Sequence, residues 1–276
     1  MTQSNSNPER LSVHLQSMLE RVAEVDKKRE AAKVYKLSLW ADAKRGVPNE
    51  FVRSALFPAI PLNKATYVER QQIFSQDGFT ITFTGRQLTQ ADLDVYEGII
   101  HIARGIAEGN KISFTAHHLL KLIGRHTGKS QHEWLLTVLE RLTATSVGII
   151  RDDQKVFWGS LLPKGSADLK DGKFTVEISR EMIQLFARGY TVIEWEQRCL
   201  LRKKPLAQAL HGWICSHTKP YPVTVQYLRD LTGSKTQSLK GFRYNLKEAL
   251  EAIKETGAIF AWHIDEADKV YISKTT

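Results

Sequence analysis

Thr232–Ile264 reads TGSKTQSLKGFRYNLKEALEAIKETGAIFAWHI, and the expected fold is built outward from it. Leu239, Phe242, Leu246, Leu250 and Ile253 recur at three- and four-residue spacing, which puts them on one face of a helix. Thr236 or Ser234 is expected to cap its first turn, and Gly257 to end it in the left-handed conformation. The charges run backwards. Lys235, Lys240, Arg243 and Lys247 hold the first half, whereas Glu248, Glu251 and Glu255 hold most of the second. The helix macrodipole favours the opposite order. A polyanion outside the helix would compensate the cations. A solvated amphipathic helix with accidental charge order is the plain alternative. A helix start rich in Lys, Arg, Gln, Ser and Thr also suits entry into a major groove.

The flanks extend this pattern. Val225–Leu231 reads as a helix before the turn, and 259–264 with 270–273 read as a terminal hairpin around Glu266-Ala267-Asp268. A similar plan lies 109 residues earlier: Thr115, Leu119, Leu122 and Gly124 match Thr224, Leu228, Leu231 and Gly233. There, Thr115–Ile123 and Ser130–Thr143 read as helices around the turn Gly124–Lys129. The β-rich runs 146–151 and 155–162 follow as a hairpin. Helix, turn, helix, hairpin is the winged-helix order. The expected fold class is therefore α+β: two tandem winged-helix domains with a flexible, partly helical N-terminal arm. Its expected divisions are 1–50 for the arm, 51–195 for the first domain and 196–276 for the second, the main sequence-specific DNA binder. In the arm, residues 1–8 are polar and read as disordered, and Arg10–Val34 carries a helical pattern. Lys36-Leu37-Ser38-Leu39-Trp40 stands out as an apolar patch fit to dock in a partner's groove or to tuck back onto its own domain.

Composition narrows the class. The 276 residues are 42% hydrophobic, enough for packed cores, and hold no run approaching the roughly 20 apolar residues of a membrane span. The polar N-terminus lacks a signal-type apolar run, so a cytoplasmic protein with no membrane partner is expected. Two cysteines are too few for a disulfide framework. A net charge of +9 favours an anionic partner. Gly124–Ser130, GRHTGKS, falls one residue short of a phosphate-binding P-loop and follows a helical pattern where that motif needs a strand. His117, His118, His126 and His132 lack the shared face and partners of a metal site. Tyr190, Tyr221, Tyr227 and Tyr244 have a nucleophile's hydroxyl but no His-rich metal motif beside them. No enzyme, cofactor or metal is expected. Five of the six tryptophans fall on apolar faces and read as core, with Trp40 the exception.

Several segments together resemble the TrfA-type plasmid replication initiators of Gram-negative bacteria. They are Leu37-Ser38-Leu39-Trp40, Arg53-Ser54-Ala55-Leu56-Phe57 and Ile81-Thr82-Phe83-Thr84-Gly85 with Leu88. Leu139-Glu140-Arg141-Leu142-Thr143-Ala144-Thr145, Ser160-Leu161-Leu162 and Lys219-Pro220-Tyr221-Pro222 complete the match. The resemblance implies tandem winged helices that bind direct repeats (iterons) at a plasmid origin. It also implies opening of an AT-rich tract with the host initiator, recruitment of the host replicative helicase, and a monomer that binds DNA, with a self-dimer as a further state. Members of that family carry a Gln-Leu-Ser-Leu-Phe peptide for the sliding clamp. Here Leu37, Ser38, Leu39 and Trp40 stand in its last four positions, and Lys36 replaces the Gln.

On this reading Lys235, Thr236, Gln237, Ser238, Lys240 and Arg243 enter a major groove. Gln237 pairs with adenine and Arg243 with guanine, while Lys235, Lys240 and Lys247 hold phosphates. Arg125, His126, Lys129, Ser130 and Gln131 do the equivalent work in the first domain. The rivals are a winged-helix transcriptional repressor and a DNA-nicking enzyme.

Overall fold

The computed structural model describes residues 16–22, 24, 36–76, 78–106 and 111–275. Met1–Tyr35 and Lys36–Thr276 are separate units. In the first, residues 16–22 and 24 are helical. The polar tail 1–8 and the rest of the expected arm helix lie outside the described residues.

Through the larger unit the chain runs β1 (Lys44–Pro48), α1 (Asn49–Val52), β2 (Tyr67–Ile73), β3 (Thr80–Arg86), α2 (Gln90–Ala103), β4 (Ile112–Thr115), α3 (Ala116–Leu122) and α4 (Lys129–Thr143). It continues through β5 (Ser146–Arg151), β6 (Gln154–Gly159), β7 (Lys164–Asp168), β8 (Lys173–Glu177), α5 (Arg180–Arg188), β9 (Tyr190–Glu194) and α6 (Trp195–Leu200). The last elements are α7 (Pro205–Cys215), β10 (Val223–Thr224), α8 (Val225–Leu231), α9 (Leu239–Glu255), β11 (Ile259–Ile264) and β12 (Lys269–Lys274). Helices and antiparallel sheets are mixed along the chain, an α+β arrangement.

Helix α9 buries Phe242, Leu246, Leu250 and Ile253, with Ala249 and Ala252 between them. This stripe meets Leu210, Trp213 and Ile214 of α7 and Val225, Leu228 and Leu231 of α8 in one core. The cap differs from expectation. Ser238, not Thr236 or Ser234, accepts the first-turn N–H, from Gly241. Gly257, at φ +79°, ends the helix as its lack of a Cβ allows.

The repeat 109 residues apart is structural. Thr115 caps α3 through the N–H of His118, and Thr224 caps α8 through the N–H of Tyr227. Gly124 and Gly233 follow at φ +69° and +57°. The Arg125 N–H reaches the Leu120 carbonyl just as that of Ser234 reaches Arg229. Each copy also has a three-stranded antiparallel sheet of the same order, β4-β8-β7 and β10-β12-β11. Thr115 pairs with Lys173 in one, Thr224 with Lys269 in the other.

That sheet corrects the expected hairpin of the first half. The runs 146–151 and 155–162 are the expected terminal hairpin, but β5 and β6 join β2 and β3 in a separate four-stranded sheet, β2-β3-β5-β6. The hairpin equivalent to β11–β12 is β7–β8. All five residues of β7, Lys-Gly-Ser-Ala-Asp, are exposed, so no apolar alternation marks it as a strand.

Residues 36–50, expected in the arm, are part of the larger unit. Strand β1 pairs along its length with β9, from Lys44 with Glu194 to Pro48 with Tyr190. Leu37 and Trp40 are buried. Trp40 stacks on Phe186 at 6.2 Å and donates its indole N–H to His101 Nδ1 at 3.0 Å. A Cβ on Gly46 would come within 2.7 Å of the same indole, so only glycine fits beneath it. The expectation that Trp40 alone leaves the core is thus reversed. It is 8% exposed, whereas Trp158, expected in a core, is 72% exposed, with Lys155 Nζ 4.8 Å from its ring centroid.

A buried ionic cluster joins the two halves. Arg198 of α6 is 1% exposed. Its Nε donates to Asp94 of α2 at 2.7 Å and lies 3.2 Å from Glu97, and its other nitrogens reach Gln90 and the Gln208 carbonyl of α7. Burial pushes the Glu97 carboxyl up to about 7, with Arg198 pulling it down and Asp94 pushing it up. In the unfolded chain the same group ionises near 4.5. The folded protein therefore keeps this proton longer. On this account stability falls as pH rises from about 4.5 to about 7, and is level on either side. Glu97→Gln should flatten that part of the curve. Denaturant midpoints between about pH 4 and pH 8 measure it, and an unchanged slope would exclude Glu97 as the cause.

Candidate nucleic-acid interface

In the second half, the turn between α8 and α9 carries Ser234, Lys235, Thr236 and Gln237 ahead of the Ser238 cap. Arg229 braces it by donating to the Gln237 carbonyl at 3.3 Å. Gln237, Lys240 and Lys247 are exposed. Lys235 is already engaged. Its Nζ donates to the Lys64 carbonyl and to Gln87 Oε1, each at 2.7 Å, so its charge sits where the turn meets the first half. Thr236 is half-buried, its hydroxyl accepting from Ser234 Oγ at 3.2 Å. The Ser238 hydroxyl is spent on the cap.

Arg243 is engaged as well. Its guanidinium grips the Asp268 carboxylate in two places, Nε to Oδ1 at 2.9 Å and Nη2 to Oδ2. The hydrogen bond and charge of Asp268 hold the Arg243 pKa above its ordinary value. Asp268 lies in the β11–β12 turn at φ +58°, and its carbonyl accepts the first N–H of α8. One residue thus ties the hairpin to both helices. Its counterpart in the first half, Gly172 at φ +60°, accepts the Ala116 N–H but has no side chain for a similar grip.

Two exposed residues of α9 were not selected from the sequence as DNA contacts, Tyr244 and Asn245. Tyr244 shares a face with Lys240 and Lys247 at four- and three-residue spacing, a signal that periodicity alone contains.

In the first half, His126, Lys129 and Ser130 are exposed at the start of α4. Arg125 turns inward. Its guanidinium lies 3.7 Å from the Trp134 ring centroid, and its Nε donates to Gln131 at 3.0 Å. Burial, and then the nearby Arg202 charge, lower its pKa. Arg202 itself donates to the carbonyls of Ile123 and Gly124. Arg125 and Gln131 therefore belong to the wall of a cleft of about 640 Å³ between the halves, together with His126, Trp134, Arg202 and Lys203. GRHTGKS follows helix α3, not a strand, and opens α4, which is not the setting of a P-loop. Among the described residues, no three His, Cys, Asp or Glu side chains group as metal ligands, and no helix is long and apolar enough to cross a membrane.

The clamp-like peptide is split. Leu39 is 76% exposed and Ser38 is exposed, but Leu37 and Trp40 face the protein's own core.

Solved structures share this fold. Pi initiator protein, solved in complex with iteron DNA, superposes with a TM-score of 0.56 at 13% identity, over 86% of this chain and 100% of that one. Domains 2 and 3 of RctB give a TM-score of 0.56 at 11% identity, over 83% and 99%. At such identities the likeness is one of fold. In sequence, the chain is 30% identical over 244 residues to the plasmid replication initiator protein TrfA of Escherichia coli. That match covers 84% of this chain, which spans 63% of the relative's length. The family model described as TrfA protein matches residues 2–273, almost the whole sequence: the chain belongs to the TrfA family.

Proposed function

We propose that the protein is a plasmid replication initiator that binds double-stranded DNA at direct repeats in its plasmid's origin, helps open the origin and recruits host replication machinery. The observation that carries this reading is the duplication. The units around α3–α4 and α8–α9 share caps, turn glycines, helix-to-hairpin hydrogen bonds and sheet order. We read each as a winged helix, with α4 and α9 as recognition helices, β7–β8 and β11–β12 as wings, and the division between domains near residue 195. Family membership and the relative's name support initiation over repression. A plasmid origin is a cytoplasmic site, and the protein acts there.

Lys240, Lys247, Lys129 and His126 are the exposed cationic and polar groups suited to phosphates in this reading. Lys240→Ala should weaken binding to specific and random duplexes alike. It should also reduce the slope of log affinity against log salt by about one unit. Titrations at several salt concentrations measure this, and an unaltered slope would remove Lys240 from the phosphate contacts. Clamp binding through Leu37, Leu39 and Trp40 fits this reading only if Leu37 and Trp40 leave the core. A nuclease footprint on the protein's own plasmid tests the function. Regularly spaced direct repeats beside an AT-rich tract support initiation. A single palindromic operator would point to repression, and metal-dependent nicking of supercoiled plasmid to a DNA-cutting enzyme.

A further inference from the structure

Arg243 has the side chain best suited to reading guanine, yet its Nε–Nη2 edge is held by Asp268 in the flank of the helix, away from the exposed ridge. We propose that Tyr244, together with Gln237, reads base edges from the second domain, and that Arg243 is a positioning residue that holds the wing against the recognition helix. This rests on the DNA-binding reading above.

The helix geometry carries the assignment. Phe242, Leu246, Leu250 and Ile253 define the buried face of α9. At 100° per residue the opposite ridge runs through Lys240, Tyr244 and Lys247. Arg243 lies on the flank toward the β11–β12 turn, with its side chain only 32% exposed. Tyr244 is 64% exposed in the middle of the ridge. Its hydroxyl bonds to Glu248, one turn on, which holds the phenol pKa up. A lysine stands four residues before it and another three residues after. If those lysines meet the phosphates that flank a major groove, the tyrosine points at the groove floor. The ring can contact a thymine methyl, and the hydroxyl oxygen, its proton donated to Glu248, can accept from a base edge. Gln237, exposed just ahead of the cap, suits adenine. The preferred chemistry is thus A·T pairs under the first turns of α9.

Competition binding against duplexes carrying every single-base change in one repeat tests the assignment. The variants are Tyr244→Ala, Tyr244→Phe, Arg243→Ala and Asp268→Asn, and thermal melts check that each is folded. Tyr244→Ala is expected to lose roughly tenfold discrimination at one or two adjacent A·T positions, with the salt slope unchanged. Tyr244→Phe should keep the preference that rests on the thymine methyl. Arg243→Ala and Asp268→Asn should weaken binding to all sequences by a similar factor and leave the base preference intact. A changed base preference in Arg243→Ala with none in Tyr244→Ala would overturn the proposal. If the wild-type protein itself shows no sequence preference, the underlying DNA reading fails along with it, a result distinct from a wild type that discriminates and a Tyr244→Ala that discriminates equally well.

Discussion

Arg198→Ala should lower the stability of the protein by about 3–5 kcal/mol, the usual loss when one partner of a buried ion pair is removed. The guanidinium is 1% exposed and is the shared cation of Asp94 and Glu97, themselves almost wholly buried. Without it, the Asp94 carboxylate is left without its counter-charge in a low-dielectric interior, Glu97 loses the cation that pulls its pKa down, and the Gln90 and Gln208 carbonyl contacts of Arg198 are lost. Against a total stability of about 5–15 kcal/mol for a typical domain, this loss approaches unfolding. Urea and thermal denaturation measure it. Adding Asp94→Asn and Glu97→Gln to Arg198→Ala should restore much of the loss, because no buried charge is then left unpaired. A loss below about 1 kcal/mol in the single variant would mean that solvent enters the cluster.

Trp40→Ala should cost about 3–5 kcal/mol, as large-to-small changes of buried aromatic residues do. The indole is enclosed by Phe186, Tyr190, His101 and the bare backbone of Gly46. Leu39→Ala, one residue away and 76% exposed, should change stability by no more than about 0.5 kcal/mol. The pair separates two accounts of the same pentapeptide. A docking segment lying free of the body would leave both variants as stable as the wild type. A segment whose last residue completes the core would give a large loss for one and almost none for the other. Melting temperatures of the two purified variants decide it.

What could be read from the sequence follows the range of the interaction. Phe242, Leu246, Leu250 and Ile253 form their stripe by local periodicity, and Thr115 and Thr224 cap helices through bonds three residues on; both signals lie within one helix. The hairpin of the first half is set instead by pairing of β4 with β8, residues 58 apart (Thr115 with Lys173). Its outer strand, Lys164–Asp168, has no buried side chain to announce it. The more regular 146–159 run imitates that hairpin but pairs backwards with β3, from Thr80–Ile150 to Thr84–Ser146. Trp40 reads equally as a docking anchor or as core because its short apolar patch has no local partner, while its packing partners stand at positions 101, 186 and 190. The candidate site shows the same division. Composition alone marks Lys240, Arg243 and Lys247 as cationic, but only the position of Asp268 reveals that Arg243 is occupied.

The pairing of β1 with β9 has a consequence for synthesis on the ribosome. Lys44 emerges about 150 residues before its partner Glu194. At roughly 5–20 residues per second, β1 waits some 7–30 s for the strand that completes it. Trp40 waits equally long for Phe186 and Tyr190. During that interval Trp40 has His101 but lacks the Phe186 and Tyr190 rings, so its apolar face is incompletely covered on the nascent chain.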